Sequence, residues 1–369
     1  MRTKPHDISA GQLIMMLVLC SIFTMFSYTS GTRETLSAPA APLVLLLSSA
    51  GALVVIIPFF LLKKHAGPDL LTAAYRAGRP VGTVTSALFG LFCIYMAAQT
   101  TAYFVFLMIS TVYQNAPPWI FIFIVIFLLT AGYAASLGLE SIARFSAFLF
   151  ALTLIVGVLI LGSLLPEFEL VRVAWPLVDG PEPVIPGTIR VLASNAEILL
   201  FILLVPRISR GTGKAYIWWA VLSLAVCMAL TIFLIAALGG FAATRLFPLQ
   251  TAAAVARVSL FGRMDLFHIL TWTGISFLRA SAYLYCGYTC LRRMAPKLSV
   301  GIGALICAVA AGIIAILTVQ KMRLWDEAGN RMILIIPLVM LAVLLPLCLL
   351  PLRRTLAPQK QTGKKEGAS

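Results

Sequence analysis

The chain has 369 residues, of which 61% are hydrophobic and only 11% charged, with a mean hydropathy of +1.00. Soluble domains carry about 25% charge, so this composition excludes a set of soluble domains, a disordered polymer and a collagen-like fibre. A net charge of +15 would point to nucleic acid in a soluble protein. Here nearly all of it lies in loops and tail, so membrane topology explains it and no nucleic-acid partner is expected.

Ten stretches approach the roughly 20 apolar residues that cross a bilayer: about 11–28, 38–62, 82–113, 118–136, 141–165, 188–206, 215–240, 265–290, 298–319 and 332–352. The first could pass for a signal peptide, with Arg2 and Lys4 before it and Ala38-Pro39-Ala40 after it. Its apolar run ends near Tyr28, well short of that triplet, which favours a retained helix. It carries Ser21, Thr24, Ser27 and Tyr28, and the i,i+3 pair Ser21 and Thr24 shares a helix face. The third span holds a polar knot, Gln99-Thr100-Thr101 with Tyr103. The connections 63–81, 166–187 and 241–264 are too short for folded domains. The last reads as a surface amphipathic segment through Phe247, Ala252, Val255, Val258 and Phe261.

The sixth span is the most informative. Ser194-Asn195-Ala196-Glu197 interrupts an apolar run that ends at Pro206. Ser and Asn side chains compete for backbone hydrogen bonds, and a carboxylate suits the first turn of a new helix. A break near 194–196 is therefore expected, with Glu197 starting a half-helix. Irregular backbone at that depth is tolerated where it is buried in protein or lines a cavity. The eighth span places Trp272, Ser276, Arg279, Tyr283, Cys286 and Cys290 at helical spacing, a polar stripe that should face the bundle interior. Arg279 reads either as a fixed cation beside a binding cavity or as the ion-pair partner of Glu197. An ionisable group inside a span costs about 2.5–3.5 kcal/mol on insertion scales. His268 is expected at an interface.

Assuming a cytoplasmic N-terminus, 18 Lys and Arg fall on the inside and 9 outside, which places both termini in the cytoplasm. Trp218 and Trp219 fit an aromatic belt, and Glu167, Glu169, Asp179 and Glu182 an outer loop. The seven cysteines, Cys20, Cys93, Cys227, Cys286, Cys290, Cys307 and Cys348, all lie in apolar segments and read as small hydrophobes. No metal centre, cofactor motif or catalytic constellation is recognised, so no enzyme is expected. The whole of 1–355 reads as one transmembrane domain, followed by a basic tail, 356–369, expected to be disordered.

Several landmarks recur in a known order: Gly138-Leu139-Glu140-Ser141-Ile142-Ala143-Arg144; Asn195-Ala196-Glu197-Ile198-Leu199-Leu200 with Val205-Pro206; Phe247-Pro248; Trp272 through Arg279 to Leu284-Tyr285; and Ala116-Pro117-Pro118. With them the chain resembles the permease-like B subunit of bacterial spore germinant receptors, within the amino acid–polyamine–organocation transporter superfamily. The resemblance implies an all-α, ten-helix, leucine-transporter-like fold. Two inverted five-helix repeats (about 8–165 and 186–352) would have broken first and sixth helices. It implies that a small nutrient, often an amino acid, binds at the midplane, and that A and C subunits join this one in the spore inner membrane. It departs from the family by lacking glycine within Cys20–Met25 and before Glu197, and by carrying Arg279 where the family usually has Lys.

The residues expected to line and set the ligand pocket are Ser21, Thr24, Gln99, Tyr103, Ser194, Asn195, Glu197, Arg279 and Tyr283, with half-helix N-termini receiving a carboxylate. A proton- or cation-coupled amino acid transporter of the same fold is the rival reading, and a scaffold without ligand the third.

Overall fold

A computed structural model describes residues 8–26, 40–113, 119–173, 180–182, 184–208, 211–239, 241–242, 245, 247–256, 264–321 and 334–352. These residues are helical almost throughout. In chain order the helices are α1 (Ala10–Phe26), α2 (Ala41–Val55), α3 (Ile57–Ala66), α4 (Leu70–Ala77), α5 (Arg79–Met108), α6 (Ile120–Ser136) and α7 (Leu139–Ser163). The second half contains α8 (Val184–Ser194), α9 (Glu197–Leu204), α10 (Thr212–Leu238), α11 (Pro248–Val255), α12 (Asp265–Met294), α13 (Val300–Lys321), α14 (Ile335–Leu338) and α15 (Leu345–Leu349).

Six stretches are long and apolar enough to cross a membrane: Ala41–Ala66, Arg79–Val112, Leu139–Ser163, Val184–Arg207, Thr212–Leu238 and Val300–Gln320. Ala10–Phe26, Ile120–Ser136 and Ile335–Leu349 are shorter apolar helices. The 30-residue α12 has the length but more polarity, because it is surrounded by protein. The chain is thus an integral, multi-pass membrane protein. The outward surfaces are what lipid demands. Along α7, Phe148, Leu154, Ile155 and Val158 are 58–65% exposed, a wasteful surface in water and the expected one against acyl chains.

The helix α12 is the axis of the bundle. It runs along α5 and also touches α1, α6, α7, α9 and α13. Small residues allow the close approach: a Cβ on Gly287 of α12 would lie 3.6 Å from both Cys93 of α5 and Cys307 of α13. The stripe foreseen on this helix is buried in full, each of its six residues at most 3% exposed. His268, expected near a span end, is enclosed by protein in the first turns of α12. It is 5% exposed and lies 4.9 Å, ring to ring, from Trp272. The landmark Gly138 has φ +102°, a left-handed turn that L side chains avoid, and it sends the chain from α6 back along α7.

The first helix departs from expectation. It is unbroken from Ala10 to Phe26, through Cys20–Met25. The Ser21 hydroxyl donates to the Leu17 carbonyl, and the Thr24 hydroxyl lies 3.0 Å from that of Cys20. These polar side chains bond back along the helix and leave its ladder intact, where glycines would have loosened it. Ser27 and Tyr28 lie outside the described residues, as do Asp179, Val258, Phe261 and the basic tail. The second span extends to Ala66 and is interrupted at Ile56, ahead of Pro58.

At one end of the bundle α4 is latched to α12. Asp69 caps α4 by accepting from the Thr72 amide, and it meets Arg293 at 2.5 Å. Arg293 also donates to the Thr72 hydroxyl, and the Tyr75 hydroxyl donates to the Arg293 carbonyl. Burial raises the Asp69 pKa, but Arg293 and Thr72 outweigh it and hold the carboxyl below its ordinary 3.8. A carboxyl whose folded pKa is depressed contributes stability above its unfolded pKa, which is lost as pH falls through the folded value. The latch is therefore at full strength at neutral pH. Asp69→Asn should cost about 1.5–3 kcal/mol at pH 7 and flatten the acid limb below 3.8, as read by thermal unfolding in detergent across pH.

Candidate functional site

The sixth span is broken where the sequence indicates. The helix α8 ends at Ser194, α9 begins at Glu197, and Asn195–Ala196 form a tight turn between them. The Asn195 amide donates to the Leu192 carbonyl and the Ala196 amide to that of Ser194. The Ile198 and Leu199 amides then donate to the carbonyls of Asn195 and Ala196. Spacings of two and three residues replace the regular four. Four of the five amides from 195 to 199 are thus closed on carbonyls, so the turn does not present an open cradle of N–H groups to a carboxylate. Beyond the turn, Phe201 of α9 packs on Tyr216 and Trp219 of α10, at 4.9 and 6.0 Å between ring centres.

Glu197, fully buried, is the hub. Its Oε1 accepts from Arg279 Nε at 3.0 Å and lies 3.0 Å from a second guanidinium nitrogen and 2.8 Å from the Thr24 hydroxyl. Its Oε2 is buried without a hydrogen-bond partner. Arg279 also donates to Thr100 Oγ1. Its guanidinium sits between two rings, 5.4 Å from Phe23 and 5.0 Å from Tyr283. Arg279 pairs with Glu197 and also lines a small cavity. Three transmembrane elements, α1, α5 and α12, thereby meet on one half-helix. Pairing and donors make a buried charge tolerable here.

The nine candidate residues do not form one pocket. Thr24, Gln99, Tyr103, Ser194 and Arg279 line a cavity of about 20 Å³ together with Phe23, Tyr95, Met96 and Leu334. Ser21 and Asn195 line another, of about 30 Å³, with Ser48, Trp219 and Ser223. Ser21 and Thr24 are close on the helical wheel, yet α1 separates the two chambers: the Trp219 indole donates to Ser21 at 3.2 Å, whereas Thr24 turns to Glu197. Glu197 and Tyr283 line neither chamber; both are fully buried beside Arg279. Each chamber has room for one or two waters.

Sequence reading missed Tyr95, Ser48, Trp219 and Ser223. Tyr95 was accessible, since it lies one turn before Gln99, whose amide nitrogen donates to its hydroxyl at 2.8 Å. Trp219 looked like an interfacial belt residue next to Lys214, but it is 2% exposed. A larger cavity, about 170 Å³, lies elsewhere, among Leu19, Phe150, Leu154, Val158, His268 and Trp272. Its wall residues Leu154 and Val158 are 60 and 63% exposed. It is a lateral apolar cleft, and the charged and amide groups converge in the smaller chambers instead.

A family model described as spore germination protein matches residues 7–323. The chain belongs to that family. No curated protein sequence matches it. Among solved structures it is similar to Mhp1, a nucleobase–cation–symport-1 family transporter, in a closed conformation with bromovinylhydantoin bound. Identity is 15% and the TM-score 0.66, over 92% of this chain and 78% of that one. The fold is therefore that of leucine-transporter-like permeases.

Proposed function

We propose that this protein is the ligand-sensing subunit of a nutrient germinant receptor. A small amino acid or similar nutrient binds beside the broken helix α8–α9 at the bilayer midplane, and the bound state triggers germination. The observation that carries this reading is the buried junction at Glu197, where the interrupted helix, α1, α5 and α12 share one hydrogen-bond network beside a polar chamber. A molecule entering that chamber has to part groups anchored on several helices, which converts occupancy into a change of helix position.

In this reading ten helices span the membrane as inverted repeats, about 8–165 and 186–352, with both termini cytoplasmic. The chain resides in the spore inner membrane, in contact with its lipid and with A and C subunits. The ligand-facing residues are Ser21, Thr24, Gln99, Tyr103, Ser194 and Asn195, while Glu197, Arg279 and Tyr283 set the charge and hold the break. Spores carrying Gln99→Leu or Asn195→Leu, with normal amounts of the protein, should lose their nutrient response by at least tenfold in effective concentration. An unchanged response would remove the site.

The likeness to a transporter favours a second reading, coupled uptake of an amino acid by the same site. Proteoliposomes containing this chain alone separate the two. Saturable uptake of labelled amino acid supports transport, and binding without uptake supports the receptor.

A further inference from the structure

We infer, on the basis of the ligand site proposed above, that this site engages the amine end of its ligand and not a carboxylate. The Ser194 and Thr24 hydroxyls in the chamber wall have spent their hydrogens. Ser194 donates to the Arg190 carbonyl, and Thr24 lies in reach of both the Cys20 carbonyl and Glu197. What these hydroxyls turn to the chamber is lone pairs. Gln99, 4% exposed, uses its amide nitrogen on Tyr95 and leaves its Oε1 buried without a partner. Asn195 Oδ1 and Glu197 Oε2 are in the same condition. Of these oxygens, the one on Gln99 belongs to the wall of the chamber that Thr24 and Ser194 also line, and a buried acceptor without a donor is costly.

The groups that would welcome an anion are committed elsewhere. Arg279 is 2% exposed, and three of its five N–H groups face Glu197 and Thr100. A carboxylate reaching the remaining two would share one guanidinium with the Glu197 carboxylate. Four of the five amides at the break are closed on carbonyls, as described. An ammonium group carries three donors and no acceptor, complementary to this lining. It is also about the size of the single water that a chamber of some 20 Å³ admits. The amine would enter between Gln99, Ser194 and Thr24, with the rest of the ligand directed away from Arg279.

The test uses the full-length chain in nanodiscs, with unfolding midpoint and tryptophan fluorescence as readouts. Trp219 and Trp272 flank the network. A panel of the common amino acids identifies one that raises the midpoint. Its carboxamide, which keeps the amine, and its des-amino acid, which keeps the carboxylate, are then titrated. The carboxamide should bind within about tenfold of the parent, and the des-amino acid about 100-fold more weakly or not at all. Gln99→Met should weaken the parent and the carboxamide alike by about 10–100-fold. Gln99→Glu should instead strengthen both, a gain that a damaged fold would not give. Tight binding of the des-amino acid with loss of the carboxamide overturns the inference and leaves the site standing. If no amino acid shifts either readout, the ligand site itself falls, and the inference with it.

Discussion

Replacing Arg279 by Met should lower the stability of the protein by about 3–5 kcal/mol, because it leaves Glu197 as an uncompensated buried charge. The carboxylate is fully enclosed, and it would lose two guanidinium contacts, keeping only the Thr24 hydroxyl. The double variant Glu197→Gln/Arg279→Met should recover most of the loss, since no charge then remains to desolvate. Thermal unfolding of the purified chain in detergent measures both. Additive losses in the double variant would contradict the pairing. If the pair also transmits occupancy, the double variant will fold and still fail to respond to nutrient, separating the structural role of the pair from its signalling role. A scaffold without ligand would tolerate the same substitutions without loss of response.

The second large effect is expected at Gly82. A Cβ there would lie 2.7 Å from the Tyr75 Cα and closer still to its ring. The ring alone could turn aside, but the backbone contact cannot be relieved without separating α4 from α5. Overpacking of this kind costs about 1–3 kcal/mol, and here it pulls on the Asp69–Arg293 latch at the other end of α4. Gly82→Ala should therefore lower the unfolding midpoint. Combined with Asp69→Asn, the losses should be less than additive, because the latch is then already open. Full additivity would show that α4 and the latch are independent.

Much of the fold was legible because hydrocarbon permits so few architectures. Apolar runs marked most of the helices, and the spacing of Trp272, Ser276, Arg279 and Tyr283 gave the buried face of α12. The break at Asn195–Ala196 could be read because three small or polar residues precede a carboxylate inside an otherwise apolar run. The first helix misled for the opposite reason. Ser21 and Thr24 look the same in sequence whether their hydroxyls bond outward or back along their own helix, and here both lie within reach of their own carbonyls. Which chamber a residue faces depends on how α1 is rotated against α10 and α12, and that is set by Trp219 and Glu197, far away in sequence. The state of each donor and acceptor was invisible for the same reason.

The short parallel pairing of Ile8 with Ile208, whose amide-to-carbonyl bond runs from Ile8 to Arg207 at 3.1 Å, ties the entrance of α1 to the exit of α9. Two segments 200 residues apart in sequence thus share a clasp at one edge of the bundle. A displacement of the half-helix would pass through this clasp to the start of α1 without crossing the bundle.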